Sequence, residues 1–525
     1  MEHQADIIVY GGTSAAVIAA VEARRLGKSV ILVSPETRLG GLSVNGLGYS
    51  DTGRKEVIGG LAKEFYHRLW LEYQKPEAWR WQKKEEYGNE GQGTRAIDNE
   101  DKTAWVFEPH LAEKIFLDLL HEYDVETRTN EWLNRSKGLV REGNVIRSIA
   151  SLSGNIYKAK QFIDATYEGD LLAEAGVSFI IGRESNRAYG EKWNGVQTGT
   201  FHHSHYFKHK IDPYIVEGNP ASGLLPLIDA ESPGEYGTAD NRVQAYCFRL
   251  CMSDHPGNFV PLAEPAGYDS NVYEILGRLA AAGWDEYFDK YDRIPNRKTD
   301  TNNHGPVNFD FIGMSDDYLR ASYRRRQSIT AEHEQYQRGL LWFLRTDKRI
   351  PEKIREKNIA WGLAADEFAD NNHWPRQLYI REGRRMNGSH IISEGEILGE
   401  RPVEESAGMG SYSLDSHNCH RYVDSGGYVQ NEGDIGVAPK DPYAIHWQAM
   451  FPKKEECVNL TVPVCLSATH STYGSIRMEP VFMILGQSAA AVAAIAAGGN
   501  CALQDIAYSD FRKVLEEGGQ ILHFP

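Results

Sequence analysis

The 525-residue chain is poor in cysteine and in positive charge. Its six cysteines form no C-x-x-C pair and no zinc-type spacing, which predicts a reduced compartment. Lys and Arg total 57 against 73 Asp and Glu, and a net charge of −16 repels nucleic acids and anionic membranes. We therefore expect neither as a partner.

Other features are absent as well. The sequence contains no G-x-S-x-G and no H-E-x-x-H motif, so it gives no support to a serine hydrolase or a zinc protease. The first strand is predicted to begin by Asp6, which leaves no room for a secretory leader and favours a cytoplasmic location; a trimmed leader would give the same sequence. The single long apolar run, residues 481–499, is rich in alanine and contains Gln487 and Ser488, which predicts a buried helix rather than a membrane span.

The amino-terminal segment predicts a nucleotide-binding βαβ unit. Residues 7–10 (IIVY) form a short apolar strand, Gly11 and Gly12 turn the chain, and a helix over 14–26 leads to a second strand at 29–33. A pyrophosphate would lie at the amino end of this helix, where free N–H groups and the helix dipole favour negative charge.

Thr13 departs from the usual G-x-G-x-x-G pattern. Gly11 takes the first glycine position, Thr13 the second and Ala16 the third, where alanine is tolerated. The Thr13 side chain stands where the backbone approaches the phosphates, although its hydroxyl could donate to a phosphate oxygen. A ribose-binding acid is expected near Ser34 or Glu36. On this stretch alone, a glycine turn in an unrelated α/β protein remains the alternative.

Four further blocks extend the pattern. They are RLGGLSVNGLGYSDTG (38–53), QFIDATYEGDLLAEAGV (161–177), REGRRMNG (381–388) and the segment 467–499. With the first βαβ unit they closely resemble the FAD-dependent oxidoreductases of the glutathione-reductase-like superfamily, in a branch near the fumarate reductase flavoproteins. Proteins of this branch carry Gly-Gly-Thr or Gly-Gly-Ser at the turn, so the resemblance implies that FAD is the cofactor and that Thr13 is a family variant.

The resemblance implies a set of cofactor contacts. The loop of Gly40 and Gly41 would lie against the flavin ring, and because it contains no His or Cys we expect non-covalent FAD. Asp170 would accept from a ribityl hydroxyl, with a helix N-cap role as the alternative. The expected contacts are Gly11, Gly12, Thr13, Ser14, Ala15, Ala16, Ser34, Glu36, Gly40, Gly41, Leu42, Ala165, Thr166, Asp170, Gly486 and Gln487.

Candidate catalytic residues follow in the carboxyl-terminal blocks. Arg477 is either a substrate-anchoring cation or an ion-pair partner of Glu479. An arginine cluster, Arg381, Arg384 and Arg385, would hold an anionic or polyhydroxylated ligand, with Arg381 and Arg385 the candidates beside Arg477; the alternative is that the cluster braces an interface through Glu382. His470 or Tyr473, in a loop before the last long helix, would transfer a proton, unless His470 is only a hydrogen-bonded loop residue.

The chain is predicted to be α/β, with a Rossmann-like FAD-binding domain, a β-meander near 128–162 and an inserted α+β substrate domain. The FAD-binding domain is predicted to consist of residues 1–182 and 438–525, and residues 60–105 are predicted to form an excursion from its first part. The substrate domain takes 183–437 and includes a long helix over 317–345, whose RRRQ stretch (324–327) is expected to face solvent.

The segment FHHSHYFKHK is interpreted as a solvated polar loop with no metal, because its four histidines (His202, His203, His205 and His209) lack a carboxylate at matched spacing. No second G-x-G-x-x-G follows a strand, so NAD(P)H is not expected in a domain of its own. The predicted activity is hydride transfer between flavin N5 and a small-molecule substrate, polar or anionic: a hydroxy acid, a sugar-like compound or an unsaturated acid. The alternatives are a non-catalytic FAD-binding scaffold and an NAD-dependent dehydrogenase; the oligomeric state is not specified.

Overall fold

The computed structural model describes residues 1–287 and 290–524; residues 288, 289 and 525, which fall inside the predicted domains, lie outside the described residues. The α-helices are α1 (Ser14–Arg25), α2 (Gly60–Glu72), α3 (Pro109–Glu122), α4 (Asp170–Glu174), α5 (Asn186–Tyr189), α6 (Glu274–Ala281), α7 (Tyr323–Thr346), α8 (Glu352–Ile359), α9 (Glu394–Ile397), α10 (His470–Ile476), α11 (Glu479–Gly499) and α12 (Tyr508–Glu517).

The strands are β1 (Glu2–Gln4), β2 (Ile7–Tyr10), β3 (Val30–Val33), β4 (Ile97–Asp98), β5 (Thr103–Ala104), β6 (Glu126–Arg128), β7 (Leu139–Glu142), β8 (Val145–Ala150), β9 (Ile156–Lys158), β10 (Gln161–Asp164), β11 (Phe179–Ile180), β12 (Leu250–Ser253), β13 (Tyr291–Ile294), β14 (Lys298–Thr301), β15 (Gly362–Leu363), β16 (Arg385–Met386), β17 (Ser406–Gly410), β18 (Leu414–Ser416), β19 (His420–Val423), β20 (Val429–Glu432), β21 (Ile435–Val437), β22 (Tyr443–His446) and β23 (Leu460–Thr461).

A parallel sheet carries the first βαβ unit. Its order is β23-β10-β2-β3-β6, and every pairing is parallel. The strands β2, β3 and β10 are buried along their whole length; the unbroken apolar runs of β2 and β3 predict this, whereas β10 also buries Gln161 and Asp164. Tyr10 is in register with Val33 on one side and Asp164 on the other, so the turns that follow these three strands meet at one edge. The predicted βαβ unit is present.

A second sheet contains the β-meander. Strands β7, β8 and β9 pair antiparallel in sequence order, and β1 adds to β9 in parallel. The meander thus covers the central part of the predicted segment. Its two ends, β6 and β10, belong instead to the parallel sheet, because β6 pairs with β3 and β10 with β2.

The middle of the chain contains a separate antiparallel sheet, β13-β14-β12-β15, and the long helix α7. This helix begins at Tyr323, after the predicted start at 317, because Ser322 caps it by accepting from the Arg325 amide. Strand β17 pairs with β22 across the predicted 437/438 boundary. The boundaries of the inserted substrate domain remain a prediction.

Helix α11 lies against α1 in the core. Of the helices in the described part of the chain, it alone is long and apolar enough to cross a membrane, and 89% of its apolar window is buried inside the protein. A Cβ atom at Gly486 would lie 2.4 Å from the Ala15 carbonyl oxygen, so glycine is required where the two helices approach most closely. Alanine-rich faces permit this approach.

Candidate active site

The amino end of α1 has the chemistry of an anion site. Thr13 is the N-cap: its hydroxyl accepts from the Ala16 amide at 3.2 Å and donates to the Ala165 carbonyl oxygen at 2.7 Å. Its one proton is therefore engaged, which corrects the expectation that it could donate to a phosphate. Gly12, Thr13 and Ala15 are buried, and their amides donate no hydrogen bond within the described residues. A diphosphate fits such a cradle.

Glu36 lies after the second strand of the βαβ unit, at one of the two positions where a ribose-binding acid is predicted. The Ser34 hydroxyl hydrogen-bonds its Oε2 at 3.0 Å, and a Cβ at Gly12 would lie 2.6 Å from that same oxygen. Glycine is therefore needed at position 12 to leave room for Glu36. Burial, and then the negative charge of Glu168, raise the pKa of Glu36 to about 8.

A cavity of about 360 Å³ opens beside Glu36 and is lined by Asn130, Trp132, Glu168 and Arg326, among others. Its aromatic wall and hydrogen-bonding groups suit a nucleoside. Arg326, which was expected to face solvent, is buried because its guanidinium binds both carboxylate oxygens of Asp170 at 2.7 and 2.8 Å.

The first βαβ unit and the blocks 38–53, 161–177 and 467–499 meet at Glu479, the first residue of α11. Its Oε2 accepts from the hydroxyls of Ser14 at 2.5 Å and Ser43 at 3.3 Å, and its Oε1 accepts from the Tyr167 hydroxyl at 2.6 Å. These partners come from the first helix, the glycine loop and the segment after β10. Burial raises the pKa of Glu479. Segments from the amino-terminal third of the chain and from its carboxyl-terminal part thus converge on one carboxylate.

The glycine loop is shaped by protein contacts. Residues Gly41–Val44 form a 3-10 helix, in which Leu42 donates its amide to the Tyr167 hydroxyl at 2.9 Å. Gly40 has a φ of 122°, and a Cβ there would lie 2.4 Å from the Phe116 ring; a Cβ at Gly41 would lie 2.2 Å from the Tyr167 hydroxyl oxygen. These packing contacts alone account for both glycines.

The turn after β10 is held by two carboxylates. Asp164 accepts from the amide and hydroxyl of Thr166 and from the Leu172 amide, and burial raises its pKa to about 6. Asp170 is engaged by Arg326 and, at 2.8 Å, by Arg384; these arginines outweigh burial and lower its pKa. The N-cap of α4 is Gly169 rather than Asp170. The Asp170 carboxylate, which was predicted to accept from a ribityl hydroxyl, therefore accepts from these two arginines in the structure.

Gly486 and Gln487 contact other parts of the protein. Gly486 serves the contact of α11 with α1 described above. The Gln487 side chain accepts from the Leu61 amide at 2.9 Å and donates to the Gly518 carbonyl oxygen at 3.1 Å. Both residues therefore have packing roles in the described structure.

Three arginines surround the ring of Tyr379. The guanidinium carbons of Arg249, Arg381 and Arg477 lie 5.9, 4.6 and 5.7 Å from its centroid. Arg477 donates to the Tyr379 hydroxyl at 2.6 Å. Burial raises the Tyr379 pKa, although the arginines oppose this shift. The structure thus brings together Arg381 and Arg477, two of the predicted substrate ligands.

Each of these arginines also faces an aspartate. Arg249 binds Asp300 through two nitrogens at 2.7 Å, Arg381 lies 2.8 Å from Asp310, and Arg477 lies 3.2 Å from Asp415. The described residues give Arg477 no ion pair with Glu479, which was the alternative for this side chain. The Nε atoms of Arg381 and Arg477 are buried and have no hydrogen-bond partner in the described residues.

A fourth carboxylate, Asp51, stands near the same cluster. It is partly exposed, accepts from the Tyr412 hydroxyl at 3.2 Å, and has its pKa raised by burial. Sequence reasoning missed Asp51, Arg249, Tyr379 and Asp415. Only Asp51 left a signal, because it lies at the end of the glycine-rich block 38–53.

Arg385 and Arg384 brace the structure. All three Arg385 guanidinium nitrogens have protein partners: Nε donates to Glu382 at 2.8 Å, and the others bind Glu184, Ala468 and Gly182. Its side chain is 0% exposed. This geometry favours the bracing alternative, through Glu382, over contact with substrate.

His470 and Tyr473 lie in helix α10 rather than in a loop. His470 is fully buried: its Nδ1 lies 2.8 Å from Glu382 and its Nε2 lies 3.1 Å from the Ser416 hydroxyl. Tyr473 is 1% exposed, and burial raises its pKa well above the ordinary value. These contacts match the hydrogen-bonded alternative that was considered for His470.

The histidine-rich segment is not simply a solvated loop. Asp434, from a distant part of the chain, lies 2.6 Å from the Nδ1 of His203 and 3.9 Å from that of His205. The fold therefore places a carboxylate beside these histidines, although none lies near them in the sequence.

A βαβ unit with a buried amide cradle, an acid after its second strand and a nucleoside-sized cavity defines a dinucleotide-binding α/β protein. The residues present fit FAD. The sequence model of the FAD dependent oxidoreductase family matches residues 6–515, so the chain belongs to that family, whose members are flavin enzymes with FAD as cofactor and a Rossmann-like FAD-binding fold.

Solved structures resemble parts of the chain. They include the L-amino acid deaminase of Proteus vulgaris (17% identity, 35% of this chain and 60% of that chain, TM-score 0.24) and an L-proline dehydrogenase from P. horikoshii (18%, 35% and 59%, TM-score 0.25). A thioredoxin reductase from T. acidophilum is 17% identical over 31% of this chain and 35% of that chain, with a TM-score of 0.18. The chain spans less than two thirds of the length of these proteins. A comparison with curated proteins finds no match.

Proposed function

We propose that the protein transfers a hydride between a carbon of a small, neutral, polyhydroxylated substrate and flavin N5. FAD, when bound, supplies the hydride acceptor or donor. The observation that carries the proposal is the cluster of Arg381 and Arg477 on the Tyr379 ring, in which Arg477 precedes Glu479 by two residues.

The charges of this cluster favour a neutral substrate over an anionic one. Arg249, Arg381 and Arg477 already face one aspartate each, and Asp51 adds a further carboxylate. A carboxylate substrate would meet this excess of negative charge. Hydroxyl groups, in contrast, can donate to the aspartates and accept from the arginines. Among the predicted classes, this supports a sugar-like compound over a hydroxy acid or an unsaturated acid.

Individual roles follow from the unused hydrogen-bonding groups. The unpartnered Nε atoms of Arg381 and Arg477 would donate to substrate hydroxyls. Asp51 would accept the hydroxyl proton, because it is partly exposed and its raised pKa lies closer to neutrality. His470 and Tyr473 remain predicted proton-transfer groups, but the enclosure of His470 by Glu382 and Ser416 makes Asp51 the stronger candidate.

Three finer assignments belong to the same proposal. We place the chain in the glutathione-reductase-like superfamily, near the fumarate reductase flavoproteins, on the strength of its four sequence blocks. FAD is proposed to be non-covalent, since the loop 38–53 contains no His or Cys. Residues 183–437 are proposed as the substrate domain, and this stretch supplies Arg249, Tyr379 and Arg381.

The test is anaerobic reduction of the FAD-loaded protein, followed as loss of the flavin band near 450 nm. We expect sugars or polyols to bleach it and 2-hydroxy acids to fail, while the pre-reduced protein does not react with unsaturated dicarboxylates. Arg477→Lys should slow bleaching by roughly 100-fold or more, about 2.7 kcal/mol in activation free energy, with FAD content unchanged. Arg320→Lys, at an exposed position, is the matched control.

The other outcomes contradict the proposal in distinct ways. Bleaching by hydroxy acids alone, or oxidation of the pre-reduced protein by unsaturated acids alone, would refute the neutral substrate class. Retained colour without turnover of any compound would favour the scaffold alternative, and a colourless protein active with NAD would favour the dehydrogenase.

A further inference from the structure

A cluster of two histidines and one aspartate forms outside the proposed substrate site. His203 and His205 lie two residues apart in the histidine-rich segment, and Asp434 lies in the turn between β20 and β21. One ligand atom from each of the three lies within 4.8 Å of the others. The Asp434 carboxylate also accepts from the His203 backbone amide at 2.9 Å, which fixes the segment against it.

No Lys or Arg of the described residues forms an ion pair with Asp434. The Asp434 side chain is 5% exposed, and within the described ranges its only ion-pair partners are the two imidazoles. A buried carboxylate ordinarily has a cation beside it, because isolated charge is costly to bury. The histidines alone therefore compensate it.

The second cluster of this kind in the described chain behaves differently. Glu108, His110 and Glu367 also lie close together, but the Lys298 ammonium is 2.8 Å from Glu108 and 2.7 Å from Glu367. The lysine occupies the place where an ion would bind. This contrast singles out the cluster of His203, His205 and Asp434.

We propose that His203, His205 and Asp434 bind a divalent transition-metal ion, with Zn²⁺ as the probe. Two imidazoles and one carboxylate form a donor set suited to Zn²⁺ or Fe²⁺, and three protein ligands leave one coordination position open. The 2.6 Å contact of His203 with Asp434 must widen by roughly 0.7 Å, since two ligands about 2.0 to 2.1 Å from one tetrahedral ion lie farther apart. The His203 side chain is 41% exposed and has room to move.

The site adjoins the proposed substrate site but is distinct from it. Strand β21, directly after Asp434, pairs with β18, and Gly436 is in register with Asp415, the partner of Arg477. The His417 ring lies 6.1 Å from the His205 ring and 3.9 Å, at its Nε2, from Asp415. The strand pairing and the His417 ring thus connect the metal-binding cluster with Asp415.

The test uses the FAD-loaded full chain, dialysed against a chelator and then titrated with ZnCl₂ by calorimetry, with zinc content measured after gel filtration. We expect one ion per chain with roughly micromolar affinity or better. His203→Ala, His205→Ala and Asp434→Asn should each weaken binding at least about 10-fold. His209→Ala, in the same segment but outside the cluster, should leave it unchanged.

The flavin absorption spectrum of each variant reports whether the fold is intact. If a substitution at the buried Asp434 reduces FAD content, the exposed His203→Ala variant decides the result. Zinc binding that is absent from the wild type, or that survives His203→Ala, would overturn the proposal. These results do not depend on the identity of the substrate, so they leave the proposed hydride transfer as a separate question.

Discussion

The Thr13 hydroxyl donates to the carbonyl oxygen of Ala165 at 2.7 Å and accepts from the Ala16 amide at 3.2 Å. One side chain therefore caps the first helix and ties it to the turn after β10. A glycine at this position would allow the same backbone path but would supply neither bond. Threonine is thus compatible with a dinucleotide site because it points toward the protein rather than the phosphates.

Thr13→Val tests this role. The substitution keeps the shape of the side chain but removes both hydrogen bonds, so we expect a loss of about 1 to 2 kcal/mol in the free energy of unfolding. Thr13→Ser should stay within about 0.5 kcal/mol of wild type. Urea denaturation of the FAD-free protein measures both. A variant of unchanged stability that binds FAD at least tenfold more weakly would instead assign the hydroxyl to the phosphates.

Glu36→Gln tests the raised pKa at the end of β3. Burial and Glu168 raise the Glu36 pKa from 4.5 to about 8, so the folded protein holds a proton that the unfolded chain releases. The resulting stabilisation is fully present below pH 4.5 and is lost as the pH rises through 8. FAD-free wild type should match the variant near pH 5 and become less stable than it above pH 8. Thermal midpoints between pH 5 and 9 check this, and identical pH profiles would contradict it.

The sequence predicted the first βαβ unit and the meander because their hydrophobic periods are local and unambiguous. The roles of the glycines were less predictable from the sequence. Gly41 and Gly486 lie in blocks that resemble flavoproteins, yet their nearest neighbours are Tyr167 and Ala15. A glycine in the sequence indicates that another atom lies close to its Cα, but it does not show whether that atom belongs to the protein or to a ligand.

Arg385→Met separates bracing from substrate binding. The substitution leaves Glu184 and Glu382 buried without their cation, which costs about 3 to 5 kcal/mol. We expect a clear fall in the thermal midpoint, partly restored in Arg385→Met/Glu382→Gln, and an unchanged KM in the protein that remains folded. A raised KM with normal stability would return Arg385 to the substrate site.

The charged residues show why the remainder of the site was not predictable. The sequence offered Glu382 as a partner for Arg385, but the partners that Arg326, Arg384 and Arg385 find in distant segments, Asp170 and Glu184, are fixed only by the fold. The same holds for His203, whose aspartate lies more than two hundred residues away. Ion pairing between distant segments leaves no periodic signal.

His110→Gln tests the buried charge cluster around Lys298. The negative charge of Glu367 outweighs burial and raises the His110 pKa from 6.5 to about 9, which means that the folded protein binds the proton more tightly than the unfolded chain. This stabilisation is fully present below pH 6.5 and disappears as the pH rises through 9. It should be modest, because the His110 side chain is 45% exposed and solvent screens the pair.

We therefore expect wild type to exceed His110→Gln in thermal midpoint at pH 6 and to converge with it above pH 9. His121→Gln, at an exposed position on the same helix, serves as the control and should follow wild type throughout. Glu367 acts in the opposite range: Lys298 and His110 outweigh burial and lower its pKa to about 2, so its contribution is present above pH 4.5 and is lost only as the pH falls through 2. A difference between wild type and His110→Gln that persists unchanged at pH 10 would show that the imidazole acts through packing rather than charge.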